Sequence, residues 1–204
     1  MLCQSYGGPH IRSWVGHTYD LMGVGVFPLV ELGGVRVQSF HCPAISGWSS
    51  RVSSNVGVAL QSGSDTVTIL GESVKVNGVV ATGSVGAVTL TISSWSSGGG
   101  RIVVSMGGLQ LTSTALMTSN IPTGYFQNLR IEAEEQPING YGASICGVGD
   151  SAVDCPIPAV ASVSVLFAAS DVATLEAQCG LADLVESAIC GQPPPACDVC
   201  NDPS

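Results

Sequence analysis

Arg101-Ile102-Val103-Val104-Ser105-Met106-Gly107-Gly108-Leu109-Gln110-Leu111-Thr112-Ser113-Thr114-Ala115-Leu116-Met117 is a pair of β-prone runs separated by two glycines. Two residues that tolerate positive φ, placed between such runs, mark a two-residue hairpin loop. Gly33-Gly34 and Asn77-Gly78 repeat the arrangement elsewhere in the chain. Val74-Lys75-Val76 and Leu129-Arg130-Ile131-Glu132 alternate apolar with charged residues, as strands with one buried and one wet face do. Outward from these joints, β-prone runs cover 24–30, 35–40, 55–60, 66–70, 73–76, 85–92, 101–106, 109–117 and 125–133. The pattern predicts an all-β fold, an antiparallel β-sandwich built of consecutive hairpins.

Composition agrees and narrows the partners. The chain is 204 residues long, enough for one generous β domain and a small appendage, and it is glycine-rich, with 26 Gly. Six Lys and Arg against 15 Asp and Glu give a formal charge of −9. An acidic chain without a basic patch is a poor partner for nucleic acid or an anionic membrane surface. The longest apolar stretch, 157–169, is too short to insert across a bilayer.

Eight cysteines are unevenly placed: Cys3 and Cys42 lie upstream, and Cys146, Cys155, Cys179, Cys190, Cys197 and Cys200 crowd the C-terminal part. An even, clustered set reads as a disulfide framework and an oxidising, extracellular setting. Met1-Leu2-Cys3 carries neither a basic nor an apolar leader, so the expectation is a secreted chain that is a segment of a longer precursor. Helical spacing appears at 171–178 and 181–190, with Ser170 or Asp171 to cap the first helix and Gly180 between the two. Pro193-Pro194-Pro195 ends the second. The expected division is a β-sandwich domain over 1–156, a connecting segment over 157–170 and a small helical, cysteine-rich tail over 171–204.

The segment from Cys3 through Gly7-Gly8-Pro9-His10, Trp14-Val15-Gly16 and Tyr19-Asp20-Leu21-Met22-Gly23 is similar to the start of a von Willebrand factor type D (VWFD) domain. The matching positions are Cys3, Gly7, Pro9, His10, Trp14, Gly16 and Tyr19. Ile145-Cys146-Gly147 resembles the family's second cysteine motif, and Cys179, Cys190, Cys197 and Cys200 resemble a shortened version of the cysteine-rich module that follows it. The resemblance implies a β-sandwich with a structural, adhesive role in cell adhesion or extracellular matrix. The work would be done by contacts with other extracellular proteins or flanking domains, and by disulfides, without catalysis. It also implies a Cys3–Cys146 bridge. Cys42 is expected to reach the C-terminal cysteine group.

Several positions depart from the family's pattern. Type D domains ligate calcium through an aspartate that is Val15 here and an asparagine that is Val148 here, and Gly8 replaces the Asp of Gly-Asp-Pro-His. Asp150 and Asp154 are left as ligands, so any calcium site is expected to be weak, since this ion wants several oxygens. Otherwise no cofactor is expected. Ala143 replaces the first cysteine of the family's exchange motif, leaving Cys146 without a neighbouring thiol.

Other constellations have structural readings that outweigh catalytic ones. Cys197-Asp198-Val199-Cys200 supports the alternative of a secreted redox protein, yet such dithiols open a helix after a strand, and only four residues follow here. Zinc held by Cys179, Cys190, Cys197 and Cys200 would have one close-spaced ligand pair instead of two. His10, His17 and His41 are expected to be hydrogen-bonded structural residues. Glu132, Glu134 and Glu135 are expected to line a solvated sheet edge, and Gly98-Gly99-Gly100 a hairpin tip.

Overall fold

The computed structural model describes residues 1–44 apart from 9 and 22, 53–134 apart from 97, and residues 144–147 and 165–179. Two antiparallel sheets face each other. Six strands form one sheet in sequence order: β4 (Gly25–Leu32), β5 (Val35–Pro43), β6 (Ser53–Ser62), β7 (Asp65–Leu70), β8 (Ser73–Val76) and β9 (Val79–Val80). The seven-stranded sheet runs β10 (Thr89–Ser96), β11 (Gly99–Met106), β12 (Leu109–Met117), β13 (Tyr125–Ala133), β1 (Leu2–Tyr6), β2 (His10–Arg12) and β3 (Thr18–Asp20). The first strand therefore pairs with the last, Cys3 opposite Ile131, and closes the sandwich.

The paired turn residues do what their chemistry demands. Gly33 and Gly34, Gly107 and Gly108, and Asn77 and Gly78 all have positive φ, with Asn77 the lone non-glycine among the described residues. That backbone twist matches the twist of the flanking strands and fixes their register. Alternation then decides which side chains face inward. Val35, Val37, Val58, Leu60, Val67, Ile69, Val74 and Val76 meet Leu109, Leu111, Leu129, Ile131, Ile102 and Val104 in the interior. Burial of such side chains stabilises by about 1.5–3 kcal/mol each.

The six-stranded sheet is also covered on its outer face. A helix, α1 (Ala169–Cys179), and the preceding Phe167 bury Phe40, Cys42, Val56 and Ala59. This is why β5 reads as buried on both faces instead of alternating. The described part of the C-terminal region is thus a third layer on the sandwich.

Two expectations need correction, and a third needs it in part. Ser170 and Asp171 do not cap α1: the helix starts earlier, and the Ala168 carbonyl accepts from the Asp171 and Val172 amides. Asp171 instead bonds Lys75, because its position on the helix faces β8. Glu132 does not protect a sheet edge, since β13 lies between β12 and β1; it turns outward and pairs with Arg130 at 2.9 Å. Of Gly98-Gly99-Gly100, Gly98 lies in the turn between β10 and β11 as expected, whereas Gly99 and Gly100 already belong to β11, opposite Leu116 and Ala115, where a Cβ at Gly99 would strike the Ala115 carbonyl. The helix expected over 181–190 lies outside the described residues.

Candidate functional site

The N-terminal motif is folded into two short hairpins at one edge of the seven-stranded sheet. Between β1 and β2, Gly7 adopts φ +65° and its amide donates to Asn128 Oδ1 at 2.9 Å. The tight return places Tyr6 opposite His10, ring centroids 5.6 Å apart. His10 in turn faces Asp20 on β3, with Nδ1 and Oδ1 at 2.5 Å on an exposed surface.

The second turn, 13–17, closes through three hydrogen bonds. The Ser13 amide donates to the His17 carbonyl at 2.8 Å, the Gly16 amide to the Ser13 carbonyl at 3.0 Å, and the His17 amide to Ser13 Oγ at 3.2 Å. Gly16 holds φ +89°, a conformation that favours glycine. Val15 projects into solvent at the tip.

A 3-10 turn at Ile145–Gly147 docks onto this motif. Cys146 is bonded to Cys3, with Cα atoms 5.7 Å apart. The Trp14 amide donates to the Cys146 carbonyl at 3.0 Å, and the Tyr19 hydroxyl to the Ile145 carbonyl at 2.5 Å. Trp14 and Tyr19 are half-buried against the core, and both sulfurs are enclosed, Cys3 at 1% and Cys146 at 0% exposure. The motif thus forms a rigid ledge with Tyr6, His10, Val15 and His17 outward. A second bridge, Cys42 to Cys179, anchors α1 to β5. It also removes Cys179 from the four-cysteine zinc set weighed above. Pro9, Asp150, Asp154, Cys155, Cys190, Cys197 and Cys200 lie outside the described residues.

His41 is elsewhere, between the sheets. Its Nε2 and Ser39 Oγ are 2.8 Å apart, the spacing of a nucleophile and its base. Both residues are 0% exposed, so no substrate meets them. Burial drives the ring's pKa from 6.5 to about 3, although contacts with the Gly23 backbone and Asn55 oppose the shift. A ring so hard to protonate is a weak base at neutral pH, and the pair is a structural hydrogen bond.

Around it gathers a polar interior that the sequence did not signal. Asn55 Nδ2 donates to Ser5 Oγ across the two sheets at 2.6 Å. Ser53, Ser113 and Gln127 are buried too, and Ser53 Oγ, Ser113 Oγ and both polar atoms of Gln127 have no hydrogen-bond partner among the described residues. Each such atom costs about 1–3 kcal/mol when left unpaired.

Two shallow hollows are lined by described residues. One, about 580 Å³, lies beside the Gly107-Gly108 turn with Met1, Glu132 and Glu134 on its wall. The other, about 410 Å³, is lined largely by valines at β9. Among the described residues no group of three or more His, Cys, Asp or Glu converges as a metal site would. No known family model matches this chain, and no curated protein is detectably similar to it.

Proposed function

We propose that this chain is an extracellular structural module of the von Willebrand type D kind, acting through protein contacts and disulfides without catalysis. The observation that carries the reading is the Cys3–Cys146 bridge, formed between the two motifs that resemble the family. It is braced by the Trp14 and Tyr19 hydrogen bonds to the loop it tethers. Cysteines enclosed this completely hold a surface in shape, whereas exchange requires an accessible thiolate. The exposed ledge of Tyr6, His10, Val15 and His17 is the surface so held, and its partners are other extracellular proteins or flanking domains.

Disulfide mapping and thiol titration of the chain expressed in an oxidising compartment test this. Cys3–Cys146 and Cys42–Cys179 peptides with few free thiols are expected. A resting, reactive dithiol at Cys197 and Cys200, or a folded chain with Cys3 and Cys146 reduced, would favour the redox reading instead.

A further inference from the structure

We infer that the β9 side of the sandwich is a self-association surface, through which a second copy of this chain pairs its own β9 antiparallel to the first across a two-fold axis. β9 is the outermost strand of its sheet. Val79 pairs with Val76, and the Ala81 amide returns to the Val74 carbonyl at 2.9 Å. By the alternation of an antiparallel ladder, the Val80 amide and carbonyl between them point away from the sheet.

The side chains there are equally open. Val79 is 70% exposed, Val80 66% and Val85 46%, the first two being the highest values among the exposed large hydrophobic residues described. With Val76, Ala81 and Thr82 they line the 410 Å³ hollow, wide enough to receive a valine from outside. Exposed strand edges are ordinarily guarded by charge or proline. On the other side of the sandwich, β3 carries Asp20, and β4 carries Pro28 and Glu31. On this side neither device is present: residues 76–100 contain no Asp, Glu, Lys, Arg, His or Pro, and they span β9 and β10, the outer strands of both sheets.

That neutrality identifies the occupant. Two copies each carrying −9 repel one another over most of their surface. An interface related by a two-fold axis must be complementary to itself, which an acidic patch cannot be and a neutral apolar one is. The small patch implies a weak, reversible dimer. This inference uses none of the residues of the N-terminal motif and stands independently of the function proposed above.

Sedimentation equilibrium of the full chain over a range of concentrations is the test, with amide chemical shifts followed across the same series. A concentration-dependent dimer is expected, with shift changes confined to 76–88. Val80→Lys should weaken association by at least about tenfold, while Glu31→Gln, an equal charge change on the opposite edge strand β4, should leave it unchanged. Added salt should strengthen association by screening the net repulsion, the opposite of an ion-pair interface. A chain that stays monomeric throughout, a dimer indifferent to Val80→Lys, or shift changes centred outside 76–88 would each overturn the inference.

Discussion

Lys75 Nζ lies 2.6 Å from Asp171 Oδ1 and ties the outer face of β8 to the first turn of α1. Asp171 is 6% exposed and its second oxygen has no hydrogen-bond partner among the described residues, so the lysine supplies the charge that makes its burial tolerable. Lys75→Met should therefore cost about 3 kcal/mol in urea unfolding, because it strands a buried carboxylate. Adding Asp171→Leu should recover most of that loss. A double variant as unstable as the single one would show that the pair is not the source.

His41 gives a pH dependence of defined sign. Its folded pKa, about 3, lies below the ordinary 6.5, so the unfolded chain takes up the proton first. Stability is complete above the ordinary value and falls as pH drops toward the folded one, by on the order of 5 kcal/mol in all. Carboxylates titrate in the lower half of this window. The expected signature is thus the difference between wild type and His41→Gln narrowing from pH 7 to about 5. A pH-independent difference would remove His41 as the titrating group.

Gln127 has both side-chain polar atoms buried between the sheets with no hydrogen-bond partner among the described residues. Gln127→Met keeps the volume and removes the desolvation penalty, so it should raise the unfolding free energy by about 1 kcal/mol. A loss of similar size would mean that bridging water satisfies the amide in solution.

Trp14 is half-buried against the core, and its amide holds the Cys146 carbonyl. Trp14→Ala keeps that backbone bond but loses the packing. Because the side chain is not fully enclosed, the cost should fall near the lower end of the usual range, about 3 kcal/mol. Melting like the parent with loss of a binding partner would make Trp14 an interface residue instead.

Calcium should shift the melting temperature little, since among the described residues no group of carboxylates converges as an ion site would. A strong rise at millimolar calcium would require ligands beyond the described motif.

The strand set was largely legible in the sequence because hairpin turns and period-two alternation are local. The runs at 73–76, 109–117 and 125–133 coincide with β8, β12 and β13, and the glycine pairs sit at the turns. Less legible were the short N-terminal strands β1, β2 and β3, which no β-prone run marked, the start of β10, which the run at 85–92 placed too early, β9, only two residues long, and the outward side of β5, where Phe40 and Cys42 break the alternation. Of the candidate site, the spacing of the motif residues marked the N-terminal ledge. The polar cluster had no such mark, for Ser5, Ser39, His41, Asn55 and Gln127 are scattered along the chain and look like solvent-facing positions.

By itself the sequence determined that the chain makes strands and where most of them turn. These depend on backbone conformations set by neighbouring residues. Only the tertiary structure decided that β1 joins β13, that α1 covers the six-stranded sheet, that Asp171 serves Lys75 instead of a helix cap, and that β9 is left open. Each of those depends on which surfaces remain unburied after the local hairpins have formed, and burial is a property of the whole chain.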